Sequence, residues 1–176
     1  MSREVVPRMA GSRHIGRRRY LLTICTFHRT HAWCTDPVVE GVLMQLRQRA
    51  IDHRFAIHAY CFMRNDVHLL LEGLSDSSDL RRFIRDWKQR TTHEYRNATG
   101  GELWQRGHID HVLRPGEDAD VVKRYVLGTP VRAGLVAHAK EYRYVGSDTS
   151  EADELMLRTT EAATARTKHQ APATGP

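Results

Sequence analysis

The chain has 176 residues, enough for one domain with a proper core, and 40% of them are hydrophobic, which is ordinary for a globular protein. No apolar run approaches the length needed to span a bilayer, so a membrane partner is not expected. Lys and Arg number 27 against 21 Asp and Glu, a formal net charge of +6, and that balance suits a polyanionic partner, nucleic acid first.

Residues 1–19 form a basic arm without periodicity, and Arg13, Arg17, Arg18 and Arg19 are placed to hold phosphates through their bidentate forks. The arm lacks the apolar core of a secretory signal, and Cys25, Cys34 and Cys61 form no paired framework. Both features lead us to expect reduced thiols and a cytoplasmic protein. Residues 20–27, YLLTICTF, read as a strand. It could pair inside a sheet or with a second copy, which leaves a homodimer open. Asp36-Pro37 then starts a helix to about His53, with Val38, Val42, Leu43, Leu46 and Ala50 on its apolar stripe.

Strands over 55–63 and 66–73 flank a short turn at Arg64-Asn65 and so form an antiparallel hairpin. Asp79 caps a helix over 80–97. Its inner side is Leu80, Phe83, Ile84, Trp87, Thr91 and Tyr95; Arg85, Lys88 and Arg90 lie on a basic face suited to phosphate contact. A strand over 108–114 follows. A helix of about ten residues begins at Glu117/Asp118, carries Tyr125 and is ended by Gly128 and Pro130. A further short helix is expected over 151–166, before a disordered end. The domain spans 20–148, with 149–176 as a tail. The order β-α-β-β-α-β-α predicts an α+β, ferredoxin-like antiparallel sheet with helices packed on one face.

Three constellations carry candidate chemistry. Asp66 and His68 alternate on a strand, so they point the same way while Val67, Leu69 and Leu71 pack behind them. A carboxylate beside an imidazole suits Mg²⁺ or Mn²⁺ held partly by water; the plainer reading is a polar pair facing solvent. Trp104, Asp110, His111 and Arg114 form a second group. Adjacent Asp110 and His111 face opposite ways, so one of them is structural. Tyr125 is the third, with Thr129 one helical turn on. A lone helical tyrosine is more often a core residue with its hydroxyl at the surface, and gains a chemical role only opposite a metal site.

Three blocks resemble a known family. Residues 63–73, MRNDVHLLLEG, are similar to the M-P-N-H-V-H-L-L-L segment of single-tyrosine HUH transposases. LWQRGHIDHVLR at 103–114 resembles their W-Q-x-G block, and YVLGTPVRAGLV at 125–136 their Y-I-x-x-N-P-V-x-A-G-L-V block. The subgroup most resembled is the REP-associated tyrosine transposases, and the resemblance spans about 18–148. It implies a ferredoxin-like HUH fold, an endonuclease and strand transferase acting on single-stranded, hairpin DNA, and a place at the bacterial nucleoid. It also implies Tyr125 as the nucleophile that becomes joined to a 5′-phosphate, and Asp66, His68 and Thr129 as holders of Mg²⁺ or Mn²⁺. Arg17, Arg18, Arg19, Arg85, Lys88, Arg90 and Arg114 would contact DNA, with Trp104, Asp110 and His111 in support.

Two departures fall on the metal ligands, where Asp66 stands for the first histidine and Thr129 for an asparagine; a third puts Arg64 in place of a proline beside them. Asp favours harder ions, and Thr is a weaker ligand than an amide oxygen. A second reading is therefore a DNA-binding protein on the same fold that no longer cleaves. A third is a nuclease in which water attacks.

Overall fold

A computed structural model describes residues 14–31 and 36–149. Arg13, Cys34 and the helix expected over 151–166 lie outside the described residues. The frame is an antiparallel five-stranded sheet in the order β4-β1-β3-β2-β5. Its strands are β1 (Arg19–Cys25), β2 (Phe55–Phe62), β3 (Asp66–Gly73), β4 (Ile109–Val112) and β5 (Val145–Gly146). The helices are α1 (Asp36–His53), α2 (Leu80–Thr99), α3 (Ala119–Leu127) and the single turn α4 (Thr129–Arg132). Among the described residues no helix is long and apolar enough to cross a membrane.

The expected α+β antiparallel architecture is present, and strand alternation decides how it is filled. Tyr20, Leu22 and Ile24 of β1 and Val67, Leu69 and Leu71 of β3 turn to one face, where they join Val42 and Leu46 of α1 and Phe83, Ile84 and Trp87 of α2. Trp87 is fully buried and its indole N–H donates to the Val42 carbonyl at 3.1 Å, tying α2 to α1. Leu70, Ala59 and Cys61 turn to the other face and pack against Val126 and Leu127 of α3. So α1 and α2 are the pair that share a face, and α3 covers the opposite one. A bulge between Ile57 and Ala59 resets the alternation of β2, so Ile57 and Tyr60 both reach the α1/α2 core.

Chain punctuation is local and legible. Asp79 accepts from the Arg82 N–H at 3.1 Å to start α2, and Gly100, at φ 75°, ends it in the left-handed region. The hairpin turn closes with the Met63 N–H donating to the Asp66 carbonyl at 2.8 Å. β1 is hydrogen-bonded on both sides, by β3 and β4, so it presents no free edge to a second copy. The strand expected over 108–114 is shorter, because only Ile109–Val112 pairs with β1. β5 was not expected: Val145 and Gly146 pair with Cys61 and Tyr60.

Gly73 sits where the end of β3 meets the incoming chain. A Cβ there would lie 2.2 Å from the Gly16 carbonyl oxygen and 3.0 Å from the Ser78 Cβ. Backbone cannot move aside as a side-chain tip can. Gly73→Ala is expected to lower unfolding free energy by about 2 kcal/mol or more, measured by urea denaturation, because overpacking costs of that order are typical.

Candidate active site

Pairing of β1 with β3 sets Thr23 opposite His68 and Cys25 opposite Asp66. Asp66 and His68 therefore share the α3 face of the sheet, at the end where β1 finishes and β3 begins. Their side chains are 17% and 16% exposed, so each is mostly withdrawn from water yet still reachable. His68 Nε2 lies 3.4 Å from Asp66 Oδ1, and His68 Nδ1 lies 3.0 Å from the Thr23 hydroxyl. A hydroxyl can donate or accept, so Thr23 holds the ring in either tautomer.

These side chains open into a cleft of about 320 Å³ lined also by His31, Met63, Arg64, Asn65, Thr129, Ala133 and Leu135. Thr129 begins α4, after the Gly128 step that ends α3. Its hydroxyl donates to the Tyr125 carbonyl at 3.1 Å and accepts from Arg132 Nη2 at 2.9 Å. The Arg132 guanidinium also covers the Tyr125 ring, 4.1 Å from its centroid. Tyr125 is 50% exposed, so it is no core residue; Val126 and Leu127 beside it take that part.

Asp66, His68 and Thr129 are thus brought to one cleft, with Tyr125 one turn before Thr129. Among the described residues no three His, Cys, Asp or Glu side chains form a metal-binding group. Two strong ligands and a hydroxyl are what this site offers, and that set fits a hard divalent ion completed by water or phosphate oxygens.

The second constellation lies elsewhere. Asp110 pairs with Leu22 and so faces α1 and α2, where its carboxylate holds buried His14 at 2.6 Å and approaches His108 at 3.9 Å. Burial lowers the His108 pKa, with Asp110 working in the other direction. His111 faces the opposite way and its Nε2 meets Glu117 at 2.9 Å. Trp104 is buried against Trp87, ring centroids 4.9 Å apart, and its N–H donates to the Thr91 hydroxyl at 2.8 Å.

The basic residues divide between two ends of the sheet. Arg19 is spent on Glu72 at 3.0 Å and Arg17 approaches Asp76 at 3.5 Å. Arg18 lies between them, and Arg114 bonds Glu117 through its backbone N–H. This group lies at the far end of β1, about 20 Å from Cys25 by strand rise. Lys88 donates to the carbonyls of Gln105 and Gly107 at 2.7 and 2.9 Å, and desolvation lowers its pKa. Arg85 is exposed and Arg90 lies 3.6 Å from Glu94. A shallow cleft of about 680 Å³ runs along this part of α2, lined by Lys88, Arg90, His93, Arg96 and Arg106 among others.

Arg132 and His31 were not singled out from sequence, and Arg64 was noted only as a turn residue in place of a proline. Arg132 had a usable signal: it stands three residues after Thr129 and seven after Tyr125, spacing that returns to the same side of a helical path.

The family model for IS200-like transposases matches residues 16–128. A Haemophilus influenzae protein provisionally described as a REP-associated tyrosine transposase is 24% identical over 138 residues, covering 71% of this chain and 77% of that one. A solved structure of a REP-associated tyrosine transposase bound to a REP hairpin superposes with a TM-score of 0.66 at 18% identity, covering 99% of this chain and 93% of that one. That likeness establishes the common fold.

The Arg132–Tyr125 contact makes a stability prediction of its own. Arg132→Ala is expected to cost about 0.5–1 kcal/mol by urea denaturation, the range for an exposed cation–π pair, with Arg132→Lys recovering part of it.

Proposed function

The chain belongs to the IS200-like transposase family, and we propose that it cleaves and rejoins single-stranded DNA at the foot of a hairpin, through a 5′-phosphotyrosine link to Tyr125. The observation that carries this reading is the meeting of Asp66, His68 and Thr129 in one cleft, with the half-exposed Tyr125 one helical turn before Thr129, whose hydroxyl donates to the Tyr125 backbone carbonyl. The similarity to a transposase solved with a REP hairpin supports the choice of hairpin DNA.

Asp66 and His68 would hold Mg²⁺ or Mn²⁺, with Thr129 contributing directly or through water. When bound, such an ion withdraws charge from a non-bridging phosphate oxygen and so favours attack at phosphorus. The chain's own groups do the rest. Thr23 fixes the His68 ring, leaving Nε2 directed at the Asp66 carboxylate. α3 presents the Tyr125 phenol from the exposed side of the helix. The phenol oxygen forms the new bond to phosphorus and releases its proton to solvent. The P–O3′ bond breaks and the departing oxygen takes up a proton as the 3′-hydroxyl. The covalent link conserves the phosphodiester energy, so attack by another 3′-hydroxyl reverses the step on a new strand. The exposed arginines of α2 and those near the start of β1 would hold the duplex stem by its phosphates.

One observation favours a second reading, in which the protein binds DNA without cleaving it. The Thr129 hydroxyl already serves Tyr125 and Arg132, which leaves two strong ligands at the cleft.

A cleavage assay separates the readings. The protein is incubated with hairpin-forming single-stranded oligonucleotides in Mg²⁺, Mn²⁺ or EDTA. The transposase reading predicts a denaturant-resistant protein–DNA adduct that needs the metal and disappears in Tyr125→Phe. Tight binding with no adduct in either metal supports the binding-only reading, and cleavage that survives Tyr125→Phe would show that water attacks.

A further inference from the structure

We propose that Phe27 and His28 form a stacking platform for one unpaired nucleobase at the rim of the cleft. The inference rests on the DNA-binding reading above and names where the single-stranded flank of the hairpin is gripped.

The segment Phe27–Arg29 follows β1 as a single 3-10 turn, and its backbone is unusual. His28 and Arg29 stand at φ 51° and 53°, two consecutive non-glycine residues in the left-handed region. That conformation is costly for L-residues and persists only where the surroundings impose it. Here they do. The Phe27 N–H donates to the Leu103 carbonyl at 2.9 Å, and the Arg29 and Thr30 N–H groups return to Thr26 and Phe27 at 3.0 and 3.1 Å. Thr26 is fully buried, and its hydroxyl reaches the carbonyls of Thr30 at 2.6 Å and Asn65 at 3.0 Å. The turn is pinned at both ends, and one pin is the residue next to Asp66.

What this rigid turn displays is an aromatic surface. Phe27 is 38% exposed, and the His28 imidazole packs against it with centroids 4.0 Å apart and planes inclined by 58°, so His28 backs the phenyl ring and the face on offer to a base is that of Phe27. The part of the phenyl ring left in contact with water gives the fold no burial energy, and it is the part a ligand can reach. Its neighbours identify the ligand. Residues 26–31, TFHRTH, carry no carboxylate; Arg29 is adjacent and His31 lines the cleft together with Arg64. Aromatic faces beside cationic side chains are the recurring means of holding single-stranded nucleic acid, because every base has a stacking face and every nucleotide a phosphate. A base stacked on Phe27 would leave a neighbouring phosphate to be met by the cationic side of the cleft, to which His31, four residues on, and Arg64 contribute. The platform thus sets which nucleotide of the flank enters the cleft.

The test uses the full chain and two DNA hairpins, one with a single-stranded flank on each side and one blunt. In the flanked hairpin each unpaired position carries 2-aminopurine in turn. The platform predicts that Phe27→Ala binds the flanked hairpin on the order of ten- to a hundred-fold more weakly, the usual range for losing one stacked base, and the blunt hairpin unchanged. Phe27→Trp should bind the flanked hairpin at least as well as the unmodified protein. One flank position should show 2-aminopurine quenching that Phe27→Ala abolishes. Unchanged binding by Phe27→Ala, or equal weakening on both hairpins, would overturn the platform and leave the hairpin-binding reading standing. If the unmodified protein binds neither hairpin, both fall together.

Discussion

The cleft depends on the register of β1 against β3. Because side chains alternate along a strand, a slip of one residue would turn Asp66 and His68 into the α1/α2 core and bring Val67 and Leu69 to the cleft. That slip is prevented by the same residues that make it costly. Leu22 lies against Leu69 and Ile24 against Val67, all fully buried under α1 and α2. Moving a carboxylate into that environment unpaired costs several kcal/mol, far more than a single strand hydrogen bond returns. The hydrophobic core on one face therefore fixes the chemistry on the other.

The second face is arranged differently. It is covered by one short helix, α3, and its buried residues are few and small, with Ala59, Cys61 and Leu70 of the sheet beneath Val126 and Leu127. Burial there pushes the Cys61 thiol up to about 12, so it is a packing residue and no ligand or nucleophile at neutral pH. The light cover leaves Asp66 and His68 reachable at the start of β3, and Tyr125 stands half-exposed on α3, one turn before the cleft residue Thr129. Arg132 bridges the ring of Tyr125 and the hydroxyl of Thr129, tying the end of α3 to the start of α4. At the rim, the strained turn after β1 is anchored to Asn65, which couples it to the same strand end.

Much of this was legible in the chain because it is local. The alternation of 66–73, the Asp79 cap and the one-turn spacing of Tyr125 and Thr129 follow from sequence-near chemistry, and the resemblance supplied the family. What was not legible is set by long-range packing. Nothing in ADVVKRYVL says which face of the sheet α3 will cover, since an apolar stripe fits either. Arg17, Arg18 and Arg19 look adjacent to the first strand, yet that strand carries its two ends far apart, and the arginines begin at the end remote from Asp66. Asp110 became intelligible only when its register partner Leu22 showed it facing the helices and His14. His28 and Arg29 gave no warning of left-handed backbone, because the residue that usually signals it, glycine, is absent.

We propose that Asp66 and His68 do the work of a two-histidine metal site. Mn²⁺ bound to the protein in the absence of DNA, observed by electron spin-echo modulation, tests it most directly, because directly bound imidazole nitrogen leaves its own modulation. The account predicts coupling to a single nitrogen, lost in His68→Ala, with weakened Mn²⁺ affinity in Asp66→Asn. Mn²⁺ that binds with no nitrogen coupling, or equally well to both variants, would contradict it and leave the cleft without its metal.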